Sequence, residues 1–318
     1  MTVRIAVAGI GAFGVKHLEG LANIADAEVV ALVSVPRGKA DELAAKFDVP
    51  RVSESLDDVL GDPGVDAVIL ATPTPMHASQ ALACLDAGKH VEVEIPLCDA
   101  LADGQAVAAK AAETGLVAMV GHTRRFNPSH QWVRRRITDD GFHIQQMDVQ
   151  TYFLRRSNLN ALGEPRSWTD HLLWHHAAHT VDLFQYQTGG TVVAANAVEG
   201  PLHPELGIAM DMSIQLKVDT GAVLTLSLSF NNDGPFGTFF RYIGDTGTYI
   251  ARYDDLVDGN EQAIDLSGLT VSSNGIELQD REFVAAITEG RQPNSSVADV
   301  LPCYEVLDRL EQQLLAAR

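Results

Sequence analysis

Val3-Arg4-Ile5-Ala6-Val7-Ala8-Gly9-Ile10-Gly11-Ala12-Phe13-Gly14 is the stretch on which the fold turns. A β-forming apolar run stops at Gly9, and a G-x-G-x-x-G pattern leads into helical spacing over residues 15–24. In this strand–turn–helix setting the first glycine makes the tight turn and the second lets backbone approach a pyrophosphate. The third lets helix pack on strand. The helix N-terminus adds amide donors and the positive end of its dipole. Gly9, Gly11, Ala12, Phe13 and Gly14 are therefore candidate dinucleotide contacts, the plain alternative being a set of turn glycines.

Working outward, strand-like runs at 28–33, 65–71, 90–94 and 116–121 alternate with helical runs at 40–47, 76–87 and 99–113. Such alternation predicts a parallel sheet covered on both faces. The second strand ends at Val33-Ser34, where an NAD enzyme usually carries a carboxylate for the ribose hydroxyl. Ser34-Val35-Pro36-Arg37-Gly38-Lys39 stands there instead. A hydroxyl with two cations suits a 2′-phosphate, so Ser34 and Arg37 point to NADP, with NAD possible at lower preference. An exposed basic loop without a ligand is the other reading.

The pattern changes near His122. After a helix at 128–137, residues 211–217 and 224–230 alternate polar and apolar around a turn at Asp219-Thr220-Gly221. Residues 239–243 and 248–252 do the same around Asp245-Thr246-Gly247. The tail reads as a helix from Leu278 and another at 297–315. The expected fold class is α/β: an N-terminal Rossmann parallel sheet over 1–121 and a C-terminal α+β domain over 122–318. The second domain carries a mostly antiparallel sheet, and the last helices are free to pack back on the first domain.

Composition narrows the function. The 318 residues are 46% hydrophobic and 20% charged, ordinary for a globular protein, and the net charge is −19. Such a chain repels a phosphate backbone, which argues against nucleic acid; the run Arg134-Arg135-Arg136 suits a solvated helix face. No segment reaches the roughly 18 apolar residues of a membrane span, and no signal peptide is visible. Cys84, Cys98 and Cys303 have no CxxC spacing and read as reduced core thiols of a cytoplasmic protein.

Ala71-Thr72-Pro73-Thr74-Pro75-Met76-His77 and Ala87-Gly88-Lys89-His90-Val91-Glu92-Val93-Glu94-Ile95-Pro96 resemble the glucose–fructose oxidoreductase / inositol dehydrogenase family. The resemblance covers essentially the whole chain. It implies an open antiparallel sheet after the Rossmann domain, and a cofactor lined also by Thr72, Pro73, His77 and Glu94. Longer blocks are similar to a narrower branch acting on a ring-cleavage semialdehyde of aromatic degradation. They are Gly121-His122-Thr123-Arg124-Arg125-Phe126-Asn127-Pro128, Ser167 through His179, Asn231-Asn232-Asp233-Gly234-Pro235 and Leu278-Gln279-Asp280-Arg281-Glu282-Phe283. Two departures from the broad family stand out: Ile95 replaces the lysine of Glu-Lys-Pro, and His175 replaces the aspartate of Asp-x-x-x-His. The narrower branch shares both.

The resemblance implies oxidation of a cyclic hemiacetal to a lactone: hydride leaves the ring carbon and a base takes the hydroxyl proton. An imidazole suits that base near neutral pH, and His179 is the position the family uses, with His175 as its neighbour. His171, His175 and His179 share one face if the segment is all helix; with His176 they could also bind a metal, though the reaction needs none. Histidines packed in the core are the bland reading. A substrate with two carboxylates calls for arginine, and Arg124 and Arg125 follow the last strand of the nucleotide domain, with His122 and Asn231 as further substrate contacts. Arg155, Arg156, Arg166 and Arg241 are explained as well by ion pairs. Thr225, Ser227 and Ser229 make a small, uncharged sheet face suited to a second subunit in a homodimer or dimer of dimers. Rival functions are a sugar or polyol dehydrogenase and a non-catalytic NADP-binding regulator.

Overall fold

The computed structural model describes residues 1–159, 163, 165–166 and 168–318; Ser167 lies outside them. The first elements in chain order are β1 (Val3–Ala8), α1 (Ala12–Leu21), β2 (Ala27–Val33), α2 (Gly38–Lys46), β3 (Val52–Ser53), α3 (Leu56–Leu60), β4 (Ala67–Leu70), α4 (His77–Asp86), β5 (His90–Val93), α5 (Leu101–Thr114) and β6 (Ala118–Val120). There follow α6 (Pro128–Asp140), β7 (Ile144–Tyr152), a π-helical segment (Leu172–Ala177), α7 (Ala178–Thr188), β8 (Val192–Glu199), β9 (Asp211–Val218) and β10 (Val223–Ser229). The chain closes with β11 (Gly237–Gly244), β12 (Thr248–Arg252), β13 (Asp255–Asp258), α8 (Gly275–Glu289) and α9 (Val297–Ala317).

These form two units, 1–122 with 274–301 and 123–273 with 302–318. The first holds a parallel six-stranded sheet in the order β3-β2-β1-β4-β5-β6. All four residues of β4 are fully buried, as a parallel strand covered on both faces demands. Strand order reverses between β2-β1 and β4, the point at which open α/β sheets bind ligands beyond their carboxyl ends. Helix α8 packs on α1, and the Asn274 side chain caps it by accepting from the Ile276 and Glu277 N–H groups. Leu18, Leu21, Phe283 and Val284 are buried, each contributing about 1.5–3 kcal/mol.

The second unit holds a seven-stranded sheet in the order β13-β12-β11-β7-β10-β9-β8. Both hairpins form as the alternation predicts, with Leu216 opposite Leu224 and Tyr242 opposite Tyr249. The sheet is mixed because β7 and β10 run parallel. Met212, Ile214, Leu216, Leu224, Leu226 and Leu228 point into the core, where α6, α7 and the π-helical segment cover the sheet. Ser213, Thr225, Ser227 and Ser229 alternate onto the other face. Trp174 is fully buried and its Nε1 donates to Glu311 Oε1 at 3.0 Å. Among the described residues no helix is long and apolar enough to cross a membrane.

Candidate active site

The glycine-rich turn has the geometry its pattern predicts. Gly9 sits at φ +88°, and a Cβ there would lie 2.4 Å from the Ala71 carbonyl oxygen. At Gly14 a Cβ would lie 1.9 Å from the Gly9 carbonyl oxygen. Gly11 meets nothing within 4 Å, so it opens onto free space at the start of α1. No side chain caps that end and no acidic residue occupies its first turn. An uncapped, acid-free helix start beside an open glycine fits a pyrophosphate. Phe13 is exposed, with the Lys16 ammonium 5.0 Å from its ring centroid.

Beyond β2, Ser34 donates its hydroxyl to the Pro36 carbonyl at 3.3 Å. Arg37 is exposed; its Nε lies 2.8 Å from Asp41 and its backbone N–H 3.2 Å from Glu54 Oε1. Asp41 of α2 and Glu54, just after β3, therefore lie against Arg37, the second from a part of the chain that the linear sequence does not connect to it. After β4, the Thr72 hydroxyl donates to Gln80 and Pro73 starts a short turn. His77 is buried, its Nε2 2.7 Å from the Thr72 carbonyl and Nδ1 2.7 Å from the Pro96 carbonyl. Burial pulls its pKa below the ordinary histidine value, the carbonyls opposing. Its ring braces the loops after β4 and β5.

Glu94, just after β5, is buried, and its Oε1 takes contacts from His17 Nε2 at 3.1 Å and Gln279 Nε2 at 3.3 Å. Burial alone would raise its pKa, but the hydrogen bond and charge of His17 hold it low. Sequence reasoning assigned no role to His17, Glu92, Gln279 or Asp280, which all meet here. One signal was available: His17 falls on the buried stripe of α1 with Gly14, Leu18 and Leu21. A polar residue on such a stripe needs a buried partner. His122, which ends the first segment of this unit, is buried.

In the second unit, Arg124 lies in a tight turn with its guanidinium carbon 5.3 Å from the Tyr253 ring and 6.0 Å from that of Phe240. Its Nη1 is 3.4 Å from Asn127 Oδ1, and its Nε is shielded from solvent without a hydrogen-bond partner. Burial lowers its pKa from the usual arginine value. Arg125 is engaged otherwise: Nε and Nη2 reach the two Asp182 oxygens at 2.8 and 2.6 Å, and the guanidinium stacks 4.6 Å from the Tyr186 ring.

The histidine stripe of a continuous helix does not form. His171 is extended, and 172–177 is wound as π-helix before α7 begins, which breaks the i, i+4, i+8 register. The His171 backbone N–H donates to His175 Nδ1 at 3.2 Å, and Trp168 stacks on the same ring at 5.2 Å. Because Nδ1 accepts, the proton of neutral His175 sits on Nε2. His176 turns to Asp170, 3.3 Å away, and packs on Phe153 and Phe230. His179, half-buried, occupies the first turn of α7. Among the described residues, no three of these rings converge their nitrogens as metal ligands would. Arg155 and Arg166 join His176 on Asp170; burial would raise that carboxyl, but His176 and the two guanidiniums hold it far below the ordinary range. Asn231 donates to Asp211 at 2.6 Å and accepts from Arg156 at 3.1 Å, while Arg241 lies 4.0 Å from Asp148.

Known proteins resemble both units. Residues 3–122 match the model of an oxidoreductase family with an NAD-binding Rossmann fold, and 128–270 match that of bacterial oxidoreductase C-terminal domains. The chain is 67% identical over 312 residues, 98% of its length, to 4-carboxy-2-hydroxymuconate-6-semialdehyde dehydrogenase of Sphingobium sp. (strain NBRC 103272 / SYK-6), covering 99% of that protein. It is 28% identical over 75% of its length to scyllo-inositol 2-dehydrogenase (NAD(+)) of Bacillus subtilis, covering 70% of that relative. Levoglucosan dehydrogenase, solved in complex with NADH, superposes with a TM-score of 0.88 at 20% identity, over 99% of this chain and 98% of that one.

Proposed function

Since the chain belongs to the glucose–fructose oxidoreductase / inositol dehydrogenase family, we propose that it uses NADP⁺ to oxidise the cyclic hemiacetal of 4-carboxy-2-hydroxymuconate-6-semialdehyde. The product is the lactone 2-pyrone-4,6-dicarboxylate. The carrying observation is the 67% identity that runs through 98% of this chain and 99% of the named dehydrogenase. That length includes both units, so the nucleotide site and the substrate-handling unit are covered together.

When bound, the nicotinamide supplies the hydride acceptor. The residues do the rest. Gly9, Gly11 and the start of α1 receive the pyrophosphate. Ser34 and Arg37 take the 2′-phosphate; the Arg37–Asp41 pair is exposed, so releasing it costs a few tenths of a kcal/mol at most. Arg124 offers an unspent Nε–H to a substrate carboxylate, which an aromatic cage strengthens by excluding water. His179 accepts the hydroxyl proton as the ring carbon loses hydride and the C=O bond forms. His175, whose Nδ1 accepts from the His171 N–H, keeps its proton on Nε2 and so has its basic nitrogen already engaged.

The same reading makes the protein a cytoplasmic enzyme, in keeping with Cys84, Cys98 and Cys303 being buried thiols. It also makes the Ser/Thr face of the second sheet a homodimer contact; light scattering that found only a 34.2 kDa particle at micromolar concentration would refute that. The activity test is growth of reduced-nicotinamide absorbance with NADP⁺ and the cyclised semialdehyde, against a panel of sugars and polyols. Turnover of a polyol and not the semialdehyde would transfer the assignment to the inositol dehydrogenases. No hydride transfer to any of them would leave a nucleotide-binding regulator.

A further inference from the structure

The nucleotide-binding unit buries four ionisable groups where β5 meets α1 and α8: His17, Glu92, Glu94 and Asp280. His17 spends both ring nitrogens there, Nδ1 at 2.7 Å from Asp280 Oδ1 and Nε2 at 3.1 Å from Glu94 Oε1. Ionised carboxylates only accept, so both nitrogens carry hydrogen and the ring is an imidazolium. Burial opposes that charge, but Asp280 and Glu94 outweigh it and raise the His17 pKa well above its ordinary value. Gln279 gives its amide to Glu92 Oε1 at 2.8 Å and to Glu94 Oε1 at 3.3 Å. Two shielded oxygens are left without a hydrogen-bond partner, Glu92 Oε2 and Asp280 Oδ2. His17, Glu92 and Asp280 each bring one polar atom within 4.8 Å of the others.

Three ionised carboxylates against one imidazolium would leave a double negative charge in a dry core, a cost that proteins avoid by protonating a group. We propose that Glu92 and Asp280 share one proton, and that this proton keeps the His17 imidazolium gripping Glu94. Helix α1, which receives the pyrophosphate, is thereby fixed to the end of β5. Among neighbouring charges Asp280 acts most strongly on Glu92; Glu277 of α8 acts on Asp280, and His77 of α4 on Glu94. Burial and the Asp280 charge hold the Glu92 carboxyl up at about 8; burial, with His17 opposing, holds Asp280 at about 6. Losing the proton places a second negative charge against Glu94 and draws His17 away from it. The role is one of positioning, and it rests on the nicotinamide site, not on the identity of the hemiacetal substrate.

Infrared difference spectra of the whole protein across a pH titration, paired with fluorescence titrations of NADPH, test this. The wild type should show a protonated-carboxyl band at neutral pH that fades through about pH 8. Its NADPH dissociation constant should rise about tenfold over the same range. Glu92→Gln should lack the band and hold its neutral-pH affinity throughout, because the amide can donate to Asp280 while its oxygen accepts from Gln279. A wild type with no titrating carboxyl overturns the shared proton, whether or not the variant folds. A titrating carboxyl accompanied by the same alkaline weakening in Glu92→Gln overturns the link to cofactor binding. Inactivity toward the semialdehyde would alter neither result.

Discussion

Replacing Arg125 with methionine strips Asp182 of its two guanidinium contacts, at 2.8 and 2.6 Å, and leaves a carboxylate whose side chain is 2% exposed. Methionine keeps most of the volume over Tyr186, so the loss is electrostatic. Breaking a buried pair from one side costs about 3–5 kcal/mol, because the remaining charge stays desolvated. In a unit of this size each kcal/mol moves the midpoint by roughly 2–4 °C, so the second unit should melt about 6–20 °C lower. Calorimetry on Arg125→Met, Asp182→Leu and the double variant gives the cycle. The double variant should recover most of the loss, since two apolar side chains of similar bulk replace the pair. Steady-state kinetics on the same proteins give the alternative its chance. If Arg125→Met melts within about 2 °C of wild type yet raises KM for the dicarboxylate tenfold, Arg125 binds substrate and the structural reasoning is wrong.

Arg124→Met, by contrast, should raise KM for the dicarboxylate by about tenfold or more with little change in NADPH affinity; a fall in cofactor affinity instead would sink its substrate role. His179→Asn should lower kcat by about 10²–10⁴-fold and abolish the acid limb of the pH–rate profile, while near-normal turnover would pass the base role to solvent or His175. Arg37→Ala should cut the NADP⁺ over NAD⁺ preference about tenfold in kcat/KM, and an unchanged ratio would clear Arg37 of the 2′-phosphate. Glu92→Gln should stabilise the protein in a pH-dependent way. The folded Glu92 carboxyl, raised from 4.5 to about 8, keeps a proton the unfolded chain has lost, so wild-type stability drains as pH climbs between those values. The variant escapes that loss, so its advantage over the wild type should grow as pH rises towards about 8. A melting-temperature difference constant from about pH 5 to 9 would show that Glu92 titrates normally.

Local chemistry was legible and long-range chemistry was not. Gly9, Gly11 and Gly14 announce their turn because the pattern is short and local, although the backbone that crowds Gly9 is that of Ala71. The hairpins of β9–β10 and β11–β12 announce themselves because one face is core and the other is polar. The π-helical segment hid because Leu172, Leu173, Trp174, His175 and Ala177 are buried nearly all round, which erases any period. Equal spacing of His171, His175 and His179 then suggested one continuous helical face, whereas the π-helical winding brings the His171 and His175 rings edge to face at 4.9 Å. Asp182 as partner of Arg125, Asp280 as partner of His17 and Glu54 beside Arg37 lie far away in sequence, and no spacing rule reaches them.

Strand β7 sits at the middle of its sheet, yet both its neighbours, β10 and β11, come later in the chain. On a growing polypeptide it therefore emerges with two open edges and waits for its partners while α7, β8 and β9 are made. Closing the loop between Gln146 and Val223 costs on the order of 4 kcal/mol of chain entropy before that pairing returns anything. During the wait an apolar strand would recruit other chains. Gln145, Gln146, Asp148, Gln150 and Thr151 make this one a poor aggregation template. The polar dress that hides β7 from sequence inspection also guards it at the ribosome. Asp148→Val and Gln150→Val together should lower the soluble yield of newly made protein more than they lower the melting temperature of what folds.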